Sequence, residues 1–121
     1  NNKKITKSIE IVYGLRNFIG NANKFSKNEV FINLKSDSEI TEIIIEDDGN
    51  GYPRDVLSKI GEPYLKSNDP IEKSKTGLGL GLFIGKTLLE KNFATINCGN
   101  SKTRTGAEVI VKWNNKDLFN I

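Results

Sequence analysis

Two pairs of apolar, β-branched segments, each joined by a polar turn, set the strongest limit on how this chain folds. The first pair lies in 29–46, where Val30, Ile32 and Leu34 alternate with other residues, and the second pair lies in 94–113. Such alternation predicts strands, and a short polar connection between two strands predicts a hairpin. Helical segments precede each hairpin but do not separate every strand from the next, which excludes the regular alternation of a doubly wound parallel sheet. We predict a two-layer α/β sandwich whose mixed, mostly antiparallel sheet packs against about three helices.

The helices are predicted from the three- and four-residue spacing of apolar side chains and from residues that favour helix starts. The first helix covers 8–26, with Ser8 at its N-terminal cap. Its apolar face comprises Val12, Leu15, Ile19 and Ala22. A short helix begins at Pro53 and ends near residue 60, and a longer one covers 80–91. The polar segment 61–76 between them predicts a mobile loop that acts as a lid.

Length and composition favour a single domain over 1–121 that makes no membrane contact of its own. Of the 121 residues, 36% are hydrophobic and 27% charged, and no apolar run approaches the roughly 20 residues that a membrane span needs. The net charge is +3, but the lysines are scattered and interleaved with acids, which favours a solvated surface over a nucleic-acid site. The sequence contains no histidine, which excludes histidine-centred catalysis and histidine metal ligands within these residues.

A glycine-rich run, Gly77-Leu78-Gly79-Leu80-Gly81, leads directly into the helix of 80–91. Unbonded backbone amides at a helix start favour a phosphate group, and glycines let a ligand approach the backbone closely. The run follows a polar loop and lacks the third glycine of a dinucleotide-binding fingerprint, and Leu80 stands where a P-loop needs its first glycine. Tight packing of the helix against a sheet is the alternative to phosphate binding.

Asp47 closes the first hairpin and is followed by Gly49 and Gly51. A carboxylate in this position could lie on the floor of a pocket beside exposed backbone, where it would accept a hydrogen bond from an exocyclic amine. An ordinary Asp-Gly turn is the alternative interpretation.

Three polar residues, Asn17, Asn21 and Lys24, share one face of the first helix. At about 100° per residue they fall within a stripe of roughly 60°. Amide oxygens are poor ligands for transition metals but suit Mg²⁺, which keeps several waters and also binds substrate phosphates. Lys24 would then meet a phosphate, whereas a solvated helix face is the alternative.

The order of these motifs resembles that of sensor histidine kinases. Residues 15–26 are similar to the N box of that family, 47–51 to its G1 box and 77–81 to its G2 box. Tyr64 lies in a segment that resembles the F box, and 104–107 resemble the glycine box before the last strand. The resemblance covers nearly the whole chain and is greatest for the redox-responding RegB and PrrB sensors. It implies the Bergerat ATP-binding fold, which gyrase, the MutL proteins and the Hsp90 chaperones share.

The resemblance also implies ATP and Mg²⁺ as cofactors and gives roles to individual residues. Asn21 would hold Mg²⁺ and Lys24 a phosphate, and both would be catalytic together with Asn17. Phe25 would contact the adenine, and Asp47 would accept a hydrogen bond from its amino group. The other ATP-binding residues implied are Gly49, Gly51, Tyr64, Lys66, Gly77, Leu78, Gly79, Leu80, Gly81 and Thr105, with Lys73 and Lys75 as further lid candidates.

By the same resemblance, the domain transfers the γ-phosphoryl group of ATP to a histidine outside this chain. A dimerisation domain of the same parent protein would carry that histidine, and a response regulator would receive the phosphoryl group next. Hydrolytic relatives have a Glu at the position of Asn17, and an amide is not a general base, so hydrolysis should be weak. The domain would be cytoplasmic and its parent anchored in the inner membrane. The alternatives are an anti-sigma serine kinase or other ATPase of this fold, and a nucleotide-binding module without catalysis.

Overall fold

The computed structural model describes the backbone of residues 2–53 and 78–118 and the side chains of 9–53 and 81–118. In chain order the elements are α1 (Asn2–Phe25), β1 (Val30–Ser36), β2 (Ile40–Asp47), α2 (Leu78–Lys91), β3 (Thr95–Asn100), β4 (Ala107–Asn114) and α3 (Asn115–Leu118). The predicted lid at 61–76 and all but the first residue of the predicted helix at 53–60 lie outside the described residues.

The four strands form one sheet in the order β1-β2-β4-β3, and each neighbouring pair is antiparallel. Asp37 closes the β1–β2 turn, because its Oδ1 accepts hydrogen bonds from the backbone N–H groups of Glu39 at 2.7 Å and Ile40 at 2.8 Å. Ile32, Ile45 and Val109 lie opposite one another on three adjacent strands and so share one face. Both predicted hairpins and the two-layer fold class are confirmed, and no parallel pairing occurs between the described strands.

The core lies between this apolar face and the two long helices. Its most deeply buried side chains are Phe18 of α1, Leu82 and Leu89 of α2, and Ile45 and Val111 of the sheet. Full burial of each such side chain contributes about 1.5–3 kcal/mol. This core fixes the C-terminal half of α1 beside both α2 and the end of β2.

The first helix differs from its prediction in start and in orientation. It begins at Asn2, so that Ser8 lies inside the helix and does not cap it. Its buried face is centred on Phe18, which is 1% exposed, whereas Val12 is 55% exposed. Val12 lies about 120° around the helix from Phe18, because each residue turns the helix by about 100°. None of the helices in the described part of the chain is long and apolar enough to cross a membrane.

Candidate functional site

A cavity opens between α1, the end of β2, the segment 50–53 and the start of β4. It is lined by Phe18, Asn21, Ala22, Phe25, Ile45, Asp47, Asn50, Gly51, Tyr52, Pro53, Ala107 and Val109. Its empty space, counted with the solvent at its open side, is about 570 Å³. Most of the wall is apolar, and two of its polar side chains, Asn21 and Asp47, come from different elements. A mostly apolar cleft with a few convergent polar groups is the usual form of a small-molecule site.

Asp47, the last residue of β2, is the buried carboxylate of this cavity and is 3% exposed. Its Oδ1 accepts hydrogen bonds from the backbone N–H of Gly49 at 2.8 Å and of Ala107 at 3.3 Å. Gly106 permits this close approach, since a Cβ at that position would overlap both Oδ1 and the carbonyl oxygen of Asp47. Both bonds end on the same oxygen, so Oδ2 is the oxygen of this carboxylate that a ligand can use.

Side chains on the face of the sheet away from the core hold the turn between β3 and β4. Ser101 Oγ donates a hydrogen bond to Glu46 Oε2 at 2.6 Å. The guanidinium carbon of Arg104 lies 3.4 Å from the centre of the Phe31 ring, and its Nε lies 3.8 Å from Glu46 Oε2. These contacts fix the turn against the end of β2, next to the cavity.

Asn21 lines the cavity and carries an amide donor that has no partner in the described part of the chain. Its Nδ2 is buried and has no hydrogen-bond partner among the described residues. Gly81 of α2 lies directly beside it, and a Cβ built on that glycine would be 3.0 Å from Nδ2 and 3.2 Å from Oδ1. A buried donor without a partner costs about 1–3 kcal/mol, a cost that a bound polar ligand removes. The structure thus brings together one residue of the predicted N box and one of the predicted G2 box.

The other α1 residues of the predicted site lie at different distances from the cavity. Phe25 lines it, and the ammonium of Lys24, an exposed residue, lies 5.6 Å from the centre of the Phe25 ring. Asn17 does not line the cavity, and its Nδ2 donates a hydrogen bond to the carbonyl oxygen of Tyr13 one turn earlier, at 2.8 Å. Of the three residues that share this helix face, Asn21 lines the cavity, Lys24 lies near the Phe25 ring, and Asn17 is bonded within its own helix.

The predicted glycine-rich run is described only in part. Leu78, Gly79 and Leu80 form the first residues of α2, and only their backbone is described. The predicted site residues outside the described part are Tyr64, Lys66, Lys73, Lys75 and Gly77. Within the described ranges, no group of three or more His, Cys, Asp or Glu side chains is placed to hold a metal ion.

Asn100, a residue that the sequence did not single out, holds one edge of the cavity. Its Oδ1 accepts a hydrogen bond from the backbone N–H of Tyr52 at 2.7 Å, and its Nδ2 donates to the carbonyl oxygen of Tyr52 at 3.2 Å. Gly51, just before this clamp, has a φ of 78°. Burial raises the pKa of the Tyr52 hydroxyl, and the nearby Cys98 and Asp47 raise it further, so this hydroxyl stays protonated. No local motif could have revealed the clamp, since its two residues are 48 positions apart.

Asp48, the residue after Asp47, links three segments of the chain: its own, the turn before β1 and the turn before β4. Its Oδ1 accepts hydrogen bonds from the backbone N–H groups of Lys27 at 2.8 Å, Asn28 at 3.0 Å and Glu29 at 3.2 Å. The hydrogen bond from the Asn28 N–H and those from its neighbours lower the pKa of this carboxyl. Thr105, predicted to bind ATP, is exposed and donates from Oγ1 to the carbonyl oxygen of Asp48 at 3.2 Å. Thr105 is thus next to the cavity wall but not part of it.

Comparisons with known proteins agree with this geometry. The family described as histidine kinase-, DNA gyrase B-, and HSP90-like ATPase matches residues 6–117. The chain is 36% identical over 119 residues to the sensor histidine kinase RegB of Cereibacter sphaeroides, with 86% of this chain and 26% of RegB covered. It is 31% identical over 86 residues to the sensor protein KdpD of Clostridium acetobutylicum, with 69% of this chain and 10% of KdpD covered. The chain thus spans only a minor part of the length of both relatives.

Solved structures show the same fold. The mycobacterial sensor histidine kinase MprB has a TM-score of 0.70 at 24% identity, with 84% of this chain and 70% of that chain covered. The catalytic domain of the histidine kinase ThkA has a TM-score of 0.70 at 21% identity, with 88% of this chain and 66% of that chain covered.

Proposed function

Because the chain belongs to the histidine kinase-, DNA gyrase B- and HSP90-like ATPase family, we propose that it is the catalytic domain of a sensor histidine kinase. Membership of this family makes it an ATP-binding domain, which confirms the resemblance read from the motif order. In the proposed reaction the γ-phosphoryl group of ATP passes to a histidine outside the chain. The sensor histidine kinases among its relatives support a histidine as the acceptor.

The observation that carries the proposal is the cavity that joins Asp47 and Asn21. Asp47 Oδ2 would accept a hydrogen bond from the amino group of adenine, because Oδ1 is already used by two backbone N–H groups. Phe25 and the apolar wall would pack against the base. The adenine would therefore be recognised by one charged acceptor in a mostly apolar setting, which favours a purine that offers a donor there.

The phosphate end of the ligand would lie at Asn21, where α1 meets α2. Its buried, unpaired Nδ2 could donate to a phosphate oxygen, and its Oδ1 suits Mg²⁺, which is otherwise held by substrate phosphates and water. Lys24, whose ammonium lies 5.6 Å from the centre of the Phe25 ring, would add positive charge. When bound, Mg²⁺ neutralises charge that develops on the transferring phosphoryl group.

The chain's own residues would contribute position more than acid–base chemistry. The 121 residues include no histidine. The Tyr52 hydroxyl stays protonated, and the amide of Asn17 is bonded within its own helix and is not a base. Holding ATP so that the incoming histidine attacks in line is then the main source of catalysis, as phosphoryl transfer generally requires.

The test is a transfer assay in trans with labelled ATP. This chain is mixed with the histidine-bearing dimerisation domain of its own parent protein, and the label is followed on each chain. We expect acid-labile label on the added domain only, at a rate that rises with the concentration of that domain and requires Mg²⁺. Asn21→Ala is the matched variant and should lower the rate, since it removes the proposed metal and phosphate contact.

Each alternative function predicts a different result in the same assay. Acid-stable label on serine indicates a serine kinase, and rapid ATP turnover without a partner indicates an ATPase. ATP binding with no transfer indicates a nucleotide-binding module.

The proposal has two further parts. The phosphoryl group passes from the histidine to a response regulator, and the domain lies on the cytoplasmic side of a parent protein anchored in the inner membrane.

A further inference from the structure

The side chain of Asp48 connects two parts of the chain that lie far apart in sequence. The three backbone N–H groups that it binds, those of Lys27, Asn28 and Glu29, are 21, 20 and 19 residues before it. Its second oxygen, Oδ2, is also within 3.2 Å of the Asn28 nitrogen. These N–H groups belong to the turn between α1 and β1, whereas Asp48 directly follows β2. One carboxylate therefore fastens the end of a helix to the end of a strand.

These two ends carry key residues of the proposed nucleotide site. Asn21 and Phe25 occupy the last turns of α1, and Asp47 is the last residue of β2. Gly49 adds a second close contact at the same place, because a Cβ on it would overlap the carbonyl oxygen of Phe25. The distance between the proposed adenine acceptor and the proposed phosphate contact thus depends on how α1 and β2 are joined here.

We propose that Asp48 is a positioning residue of the nucleotide site, which holds the end of α1 in register with Asp47 so that adenine and phosphates are bound at once. The inference rests on the proposed function. Asp48 does not line the cavity, so its effect passes through Asn21 and Asp47 and not through contact with the ligand. A misplacement of about 1 Å between groups that bind one ligand can cost as much as two orders of magnitude in reaction rate.

Asp37 provides a matched control within the same chain. It also accepts backbone N–H groups on Oδ1, but from Glu39 and Ile40, only two and three residues away. It closes a local turn at the opposite end of β2 from Asp48. Asp37 and Asp48 share their chemistry and flank the same strand, and they differ in whether the carboxylate joins two elements of the site.

The experiment compares Asp48→Ala with Asp37→Ala for ATP affinity by calorimetry with Mg²⁺, at a temperature where circular dichroism shows both variants folded. We expect Asp48→Ala to weaken ATP binding about tenfold or more and Asp37→Ala to leave it unchanged. Asp48→Asn keeps one acceptor oxygen in the same shape, so it should restore part of the affinity and serves if Asp48→Ala does not fold. The loss caused by Asn21→Ala should also become smaller in the Asp48→Ala background, because that helix end is no longer held.

The outcomes separate this inference from the proposed function. If the wild-type chain does not bind ATP, the proposed function fails. If the wild type binds ATP but the folded Asp48 variants bind it equally well, the positioning role is wrong. Equal losses in Asp48→Ala and Asp37→Ala, with no coupling to Asn21, would reduce the role of Asp48 to general stability and also overturn the inference.

Discussion

Replacement of Asp47 by Asn changes one oxygen to an amino group at the centre of the proposed adenine contact. The side chain is 3% exposed, and Oδ1 accepts the N–H groups of Gly49 and Ala107. In the variant, the amide oxygen should keep this place, because the reverse orientation would set the amide NH₂ against two backbone N–H groups. The amide NH₂ then occupies the position of Oδ2, where a donor would face the donor amino group of adenine.

The size of the expected effect follows from the charge of the acceptor that is lost. A hydrogen bond to a charged partner contributes about 1.5–3 kcal/mol, and each 1.4 kcal/mol changes a dissociation constant about tenfold. We therefore expect ATP to bind Asp47→Asn about tenfold to a hundredfold more weakly. Inosine triphosphate carries a carbonyl oxygen in place of the amino group, so the preference of the protein for ATP over inosine triphosphate should shrink or reverse.

The assay is calorimetric titration of both nucleotides into the wild type and the variant in the presence of Mg²⁺. Asp37→Asn is the control, since this carboxylate also accepts two backbone N–H groups but lies at the far end of β2. That control should leave both affinities unchanged. If Asp47→Asn unfolds cooperatively in a thermal scan and still binds ATP as tightly as the wild type, Asp47 is not the adenine acceptor.

Two further perturbations test how the site is held. Asn100→Ala removes both hydrogen bonds to the Tyr52 backbone, so it should lower the unfolding free energy by about 1–2 kcal/mol and weaken ATP binding. The control, Asn97→Ala, changes an exposed residue on the same strand and should do neither. Parallel denaturation and ATP titration of the two variants measure the difference. The backbone N–H of Asn28 lowers the pKa of the Asp48 carboxyl below 3.8, and the N–H of Ile40 does the same for Asp37. The stabilisation of the fold by these two carboxylates is therefore complete above that value and is lost as the pH falls through the lower pKa of the folded state. The urea midpoint should thus fall steeply below about pH 4 in the wild type and less steeply in the variant that carries Asn at both positions, and equal slopes would contradict this assignment.

The two long helices, the two hairpins and the motif order followed from the sequence because each depends on neighbours close in the chain. Apolar residues two apart predicted β1, and a β-branched, apolar run predicted β2. Apolar residues three or four apart predicted most of α1. The prediction erred at Val12, which has the right spacing but is 55% exposed. Spacing within a helix shows that a face is apolar, but packing against α2 and the sheet decides which direction is buried.

The candidate site shows the same division between local and long-range information. Asp47 and Asn21 were identified from residue type and spacing, and the structure places both in one cavity. Asn17 shares the predicted helix face but bonds to its own helix. Residue type predicted what each side chain can bind, and only the tertiary structure decided which of them share a cavity.

By itself, the sequence determined the class of the fold, the chemical groups available and their order along the chain, since these follow from local periodicity and residue chemistry. The tertiary structure decided which groups meet. Asp48 binds N–H groups 19 to 21 residues away, and Asn100 binds a backbone 48 residues away. The physical reason is that a hydrogen bond needs its two atoms within about 3 Å in a suitable direction, a condition that only the packed helices and sheet impose.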